Sequence, residues 1–303
     1  LGMLCAKGAL VAMAGRLTMV MESKVSAWST VMLIPAGLYL VCALYHAWVL
    51  PKPPSDQPAL ASRPESAPLA LGSTQLSGQE GTPKSFLQGY LETFTTFFAK
   101  PRIFHALLFM LFYRFSEAQL LAMVPPFLTG PRDTGALALT TEQVGIAYGT
   151  FGVVGIILGG ISGGMLVARY GLRLWYWPLI AGINLPNSVY LILSIFQPTN
   201  LYVISSGLFF EQFGYGFGFT AYMLYLMYFS RGEQRTSHYA LCTGFMALSI
   251  MLPQMVSGYL KTALGFRDFF VYVLIATIPS FFVSWLAWRD KQFLDYFEPT
   301  KEV

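Results

Sequence analysis

Long unbroken apolar runs, not alternating polar and apolar positions, organise this chain. They lie near residues 1–21, 27–50, 103–128, 141–168, 174–196, 201–229, 237–262 and 269–288. A helix needs about 20 apolar residues to cross about 30 Å of hydrocarbon, where every backbone N–H and C=O must be paired within the segment. Continuous runs of this length predict helices and not the ten-residue alternating strands of a barrel. The expected fold class is therefore an all-α membrane protein with eight transmembrane helices.

Two segments break the pattern. Residues 51–84 hold seven prolines among small polar residues, which cannot bury enough apolar surface to offset their ordering entropy, so a flexible linker is expected. Residues 85–101 then place Phe86, Leu87, Tyr90, Leu91, Phe94, Phe97 and Phe98 on one helical face. That face suits an amphipathic helix lying on the membrane, with a packed cytoplasmic helix as the alternative. The expected organisation is two helices over 1–50, the linker, the amphipathic helix, six helices over 102–290 and a tail over 291–303.

Composition agrees with a bilayer as solvent. Only 11% of residues are charged and 55% are hydrophobic, whereas soluble domains carry about 25% charged residues. The net charge of +4 comes without a basic run or stripe of the kind that neutralises phosphates, which sets nucleic acid aside. Cys5, Cys42 and Cys242 show no metal-ligand spacing and are expected to be buried and inert. His46, His105 and His238 have no neighbouring ligand partners, so no metal is expected.

Charge placement fixes an orientation. With the linker inside, twelve Lys and Arg residues fall on that side (Lys52, Arg63, Lys84, Lys100, Arg102, Arg169, Arg173, Arg231, Arg235, Arg289, Lys291 and Lys301) and four outside (Lys24, Arg132, Lys261 and Arg267). The positive-inside rule then puts the linker and the carboxy terminus in the cytoplasm. Leu1 opens within an apolar run, without an initiator Met or a signal peptide, so the chain is expected to be truncated. Two helices, a long linker and six helices are what a six-plus-six transporter leaves when its first four helices are absent.

Ionisable residues inside the runs carry the chemistry. Arg114 and Glu117 lie near the middle of the third run, beside Tyr113, where each charge costs about 2.5–3.5 kcal/mol on insertion scales. An i, i+3 pair returns only about 0.2–0.5 kcal/mol on an exposed helix. Facing a polar cavity, the two would bind solute or exchange a proton; the alternative is a neutralised pair that fastens two helices. Glu211 in the sixth run has no basic neighbour on its own helix, so it is expected to be protonated or to pair across helices, with Arg114 as one candidate. Gln212 and, more weakly, Asn184 and Gln254 are candidates for solute contact or for plain interhelix bonds. Gly145, Gly149, Gly152, Gly155, Gly159 and Gly163 make a smooth helix face. Gly214, Gly216 and Gly218 point to close packing or local unwinding beside Glu211.

The turn Gly164-Met165-Leu166-Val167-Ala168-Arg169-Tyr170-Gly171-Leu172-Arg173 resembles the G-x-L-x-D-R-x-G-x-R loop of the major facilitator superfamily, with Ala168 at the place of the usual acid. The resemblance implies a conformational loop at Gly164, Arg169, Gly171 and Arg173, weakened as a latch by Ala168. More specifically, Tyr113-Arg114-x-Ser116-Glu117-Ala118, Phe209-Phe210-Glu211-Gln212 with Gly216 and Gly218, Ser237-His238-Tyr239-Ala240-Leu241, and Leu1-Gly2-Met3-Leu4 with Gly8-Ala9-Leu10 resemble the muropeptide permease (AmpG-type) family. His238 stands where that family often has Gln.

That resemblance implies a proton-driven importer of anhydromuropeptides in the bacterial inner membrane. Related carriers of other oligosaccharides or of acetyl-coenzyme A are the alternatives. Helices five to twelve would be present here, with Arg114 holding an anionic group and Glu117 and Glu211 exchanging the proton. Gln212 and Asn184 would meet hydroxyls or amides. The proton is the coupling ion and no cofactor is expected; the partners are a small solute and the bilayer, with a monomer as the full-length state. A membrane-embedded glycan-modifying enzyme is the rival from another class. It would need a buried base or nucleophile pair, and all five aspartates fall outside the predicted helices.

Overall fold

The computed structural model describes residues 4–21, 23–49 and 86–298. The expected linker, Ser85 at the start of the amphipathic helix, and 299–303 of the tail lie outside the described residues. Every regular element among the described residues is helical. A π-helical turn, Leu4–Ala9, leads into α1 (Leu10–Val20), followed by α2 (Lys24–Val49) and α3 (Phe86–Phe98).

The third run forms α4 (Ile103–Phe112) and α5 (Phe115–Thr129). The fourth forms α6 (Thr141–Ile146), a π-helical turn over Ala147–Gly152, and α7 (Val153–Tyr170). The fifth forms α8 (Leu172–Asn184) and α9 (Ser188–Phe196), joined by a 3₁₀ turn at Pro186. Then come α10 (Leu201–Phe229), α11 (Arg235–Ile275), α12 (Ile278–Trp288) and a short α13 (Lys291–Tyr296).

Five stretches are long and apolar enough to cross a membrane: Lys24–Val49, Ile103–Thr129, Thr141–Tyr170, Leu172–Phe196 and Arg235–Trp288. The difference from the eight expected runs has physical causes. In the first run only Leu4–Val20 is described as helix, which is short. The 29 residues of α10 would reach about 43 Å, but their glycines, tyrosines and polar groups dilute the hydropathy. Runs seven and eight join across Gly265, whose φ of 77° and ψ of 177° bend the chain sharply. Ser249, before the bend, lines a cavity with Phe112, while Ser280, after it, touches Tyr113, so the chain passes the same level twice.

The centre of the bundle is α10, set between α7 and α8. Close approach demands glycine at Gly159, where a Cβ would overlap the Phe213 carbonyl. The expected smooth face divides its work: Gly155, Gly159 and Gly163 pack on α10, whereas Gly145 receives α1 and Gly149 receives the π-helical turn before it. Gly214, Gly216 and Gly218 stay helical and pack alternately on α8 and α7.

The core has two apolar parts. One gathers Phe109, Tyr176, Tyr222 and Phe293; the other gathers Phe127, Tyr190, Phe266 and Phe270. Arg114, Glu117 and Glu211 fall between them along α4–α5 and α10. By contrast α2 buries only Ala27 and Val31, and its outer surface is apolar, as lipid contact requires. Cys42 lies on that exposed surface, against the expectation of burial, while Cys242 is buried.

The last turn of α3 is docked on the bundle: Phe97 is fully buried, stacks on Phe245 and meets Phe229 and His238 edge-on. The Thr96 hydroxyl lies 3.1 Å from His238 Nε2. Leu91 and Phe98 remain exposed on the other side.

Candidate functional site

The helix of the third run breaks at Tyr113 and Arg114, where Arg114 adopts φ −105° and ψ 17°. A break in a lipid-spanning helix frees backbone groups that must find partners. Here the Ser280 hydroxyl donates to the Tyr113 carbonyl at 2.6 Å, and the Tyr113 hydroxyl donates to the Gly218 carbonyl at 2.7 Å. The break is thereby tied to α12 and α10, and it sets the Arg114 side chain between the two cores.

Arg114 is 3% exposed. Its Nε and Nη2 lie 2.9 Å from Glu117 Oε2, and Nη2 donates to the Tyr215 hydroxyl at 2.9 Å. The guanidinium also sits over the rings of Tyr215 and Phe219, 5.2 and 5.1 Å from their centroids. One carboxylate, one hydroxyl and two aromatic faces replace water around this cation, which is how a buried charge is kept.

Glu211 does not pair with Arg114. Its Oε2 accepts from the Tyr190 hydroxyl at 3.1 Å and from Gln212 Nε2 at 2.8 Å. The two carboxyl groups nevertheless share one small cavity of about 10 Å³, lined by Glu117, Leu120, Tyr148, Glu211 and Gln212. That is about the volume a single water needs, and the lining supplies polar partners for it. An acid held by an arginine and a second acid held by neutral donors thus face each other across a water-sized space.

The other sequence candidates separate from this centre. Asn184 is buried in packing: its Nδ2 donates to the Ile180 carbonyl at 2.9 Å and to Ser280 Oγ at 3.1 Å, and its Oδ1 accepts from Ser116 at 3.4 Å. With Tyr113 it belongs to the interhelix bonds that hold the break, not to the cavity lining. Gln254 is half-buried on α11 and does not line the cavity either. His46 and His105 are exposed.

Tyr148, Tyr190 and Tyr215 are site residues the sequence did not single out. Gln119 is another polar group in this layer, accepting from the Tyr272 hydroxyl at 3.0 Å. In a chain with 17 tyrosines, a phenol that serves a carboxylate carries no spacing signal. The midspan position of Gln119, two residues after Glu117, was the one available cue.

At the far end of α7, Gly171 has φ 85° and turns the chain into α8. Arg173 Nη2 donates to Asp295 at 2.6 Å, and its backbone N–H donates to Glu298 Oε1 at 2.9 Å. Arg169 lies over the Tyr170 ring, and nothing approaches Gly164. Ala168 lacks the acid of the resembled motif, and Asp295 of α13 and Glu298, two residues beyond α13, meet Arg173 instead.

Several relatives of this chain are named as transporters. It is 27% identical over 200 residues to the anhydromuropeptide permease of Escherichia coli (strain K12), covering 65% of this chain and 39% of the relative. It is 26% identical over 177 residues to putative transporter AmpG 1 of Rickettsia prowazekii, covering 58% and 38%. The corresponding protein of Rickettsia bellii is 30% identical over 182 residues, covering 58% and 42%. These matches thus span about two-fifths of each relative's length. The family model of the Major Facilitator Superfamily matches residues 2–252. With the helical bundle and the charged layer at its middle, that match places the chain in the Major Facilitator Superfamily.

Proposed function

We propose that the chain is part of a proton-coupled permease that imports a muropeptide or a related sugar-containing solute across a bacterial inner membrane. In this reading eight helices of a twelve-helix, alternating-access protein are present. The linker and carboxy terminus face the cytoplasm, in keeping with the twelve-to-four bias of basic residues. The names of the relatives support the solute class.

The observation that carries the proposal is the pair of buried acids on one water-sized cavity, Glu117 on Arg114 and Glu211 on Tyr190 and Gln212. Intramembrane ionisable groups are expensive and are retained where ions, protons or solutes pass. Arg114 would hold an anionic group of the solute, releasing Glu117 from its ion pair. Glu211, held only by neutral donors, would take up and release the proton. Gln212 would lend its amide to Glu211 or to solute. Tyr113 and Asn184 would act indirectly, by holding the helix break.

The test is uptake of labelled anhydromuropeptide by the full-length protein in vesicles, with and without an imposed proton gradient. Accumulation that disappears when the gradient is collapsed is the expected result. Equal accumulation without a gradient would remove proton coupling. Accumulation of other oligosaccharides or of coenzyme A thioesters in preference to the muropeptide would change the solute.

A further inference from the structure

A second cavity lies at the opposite level of the bundle from α1's contact with Glu142, at the end that the positive-inside rule assigns to the cytoplasm. It measures about 470 Å³ and is lined by Lys100, Arg102, Arg231 and Asp290 together with Tyr225 and Tyr228. A neighbouring space of about 310 Å³ shares Arg102 and Asp290 and adds Arg289. Four cations therefore surround adjoining cavities whose lining contains one carboxylate.

The charges do not cancel internally. Asp290 is taken by Arg102 at 2.8 Å. Arg289 lies over the Trp285 ring, 4.9 Å from its centroid, and has no acid within ion-pair distance among the described residues. Arg231 is clamped between the rings of Tyr228 and Tyr296, 4.1 Å from each centroid, and its Nε donates to the Tyr228 carbonyl at 3.0 Å. Its terminal nitrogens likewise meet no carboxylate among the described residues. Lys100 caps the end of α10, donating to the carbonyls of Phe229 and Arg231 at 2.6 and 2.7 Å. Burial first, with the nearby Arg231 also contributing, pushes the Lys100 amine below its ordinary value.

A guanidinium stacked between two rings is fixed before any ligand arrives, so less rotamer freedom is lost on binding. Three cations beyond the internal pair exceed what one carboxylate can use but match a phosphate, whose several oxygens accept donors from different directions. The volume admits a phosphate together with the group esterified to it. Basic pockets between helix ends on the cytoplasmic side lie at the depth of anionic headgroups.

We propose that the two adjoining cavities form one binding site for a phosphate group, reached by Arg231 from the larger and by Arg289 from the smaller, with support from Lys100 and Arg102. The phosphate belongs either to an anionic phospholipid headgroup or to a soluble phosphate, and the experiment separates these sources. The full chain is placed in nanodiscs of phosphatidylcholine with and without phosphatidylglycerol, and in detergent with inorganic phosphate or with sodium chloride at equal ionic strength. Thermal unfolding is followed in each.

A higher midpoint with phosphatidylglycerol assigns the headgroup, and one with inorganic phosphate over chloride assigns the soluble ion. In Arg231→Gln/Arg289→Gln the concentration needed for the shift should rise by about tenfold or more, the size expected for lost charge-assisted bonds. Arg231→Lys, which keeps the charge but loses the stacked fork, should weaken binding by a smaller factor. Lys261→Gln, at the other end of the bundle, should behave as the unmodified chain. No shift of the unmodified chain in either arm overturns the proposal, and so does an equal shift in both arginine variants.

Discussion

The Tyr190 hydroxyl donates to Glu211 Oε2 at 3.1 Å, from a side chain fully buried between Phe127 and Phe270. The bond joins α9 to α10 and leaves Gln212 as the other donor to the same oxygen. Tyr190→Phe removes one of the two while keeping the ring in place. Bonds to charged groups contribute about 1.5–3 kcal/mol, whereas neutral interhelix bonds in membrane proteins average about 0.6 kcal/mol. With Glu211 ionised, Tyr190→Phe is therefore expected to lower the unfolding midpoint more than Ser280→Ala, although the Ser280 bond is the shorter at 2.6 Å. Thermal unfolding of the two variants in one detergent checks the order, and the reverse order would contradict a charged Glu211.

Arg114 and Glu117 are buried together, so removing one strands the other. Arg114→Gln is expected to cost about 3–5 kcal/mol, the usual penalty for breaking a buried pair. The double variant Arg114→Gln/Glu117→Gln should recover part of that loss, because no uncompensated charge is left. A double-mutant cycle on unfolding free energy measures the recovery, and strictly additive losses would mean that the ion pair is not coupled.

Gly149 lies against the backbone of Lys7, and a Cβ there would overlap the Lys7 carbonyl. Gly149→Leu is expected to push the π-helical turn Leu4–Ala9, and with it the start of α1, away from the fourth run and expose that backbone to hydrogen exchange. Gly164→Leu, on the same helical run with nothing within 4 Å of its Cβ, should leave exchange over residues 7–16 unchanged. Similar exchange in both variants would contradict the packing.

Two acids meet Arg173, and they differ in weight. The Asp295 pair is more than half exposed on both sides, at 55% and 56%, and such pairs contribute about 0.2–1 kcal/mol. Glu298 accepts a backbone N–H in the first turn of α8, the role of a cap, for which loss costs about 0.5–2 kcal/mol. Glu298→Ala is accordingly expected to destabilise more than Asp295→Ala in denaturant unfolding. Equal losses would mean that Glu298 acts only as a surface charge.

How far the sequence reached follows from what each feature costs. Helices were legible because the bilayer penalises every unpaired backbone group, so long apolar runs have few alternatives. Arg114, Glu117 and Glu211 were legible because a charge within such a run is conspicuous. Which partner each takes was not: Glu211 turned to Tyr190 and Gln212, and those bonds depend on how α9 and α10 are rotated, which periodicity does not fix when α10 is buried on nearly every side. The break at Tyr113 and Arg114 was equally hidden. It contains neither Pro nor Gly and is held by Ser280, which is 167 positions away. The docking of α3 through Phe97 was open to either reading, since one aromatic face suits lipid and protein alike.

The central claim is that Glu211 exchanges the proton that drives uptake. The most direct measurement compares Glu211→Gln with unmodified full-length protein in vesicles, reading gradient-driven accumulation of labelled anhydromuropeptide beside gradient-independent exchange of internal for external solute. The account predicts that Glu211→Gln loses accumulation and retains exchange. Undiminished accumulation in Glu211→Gln would contradict it.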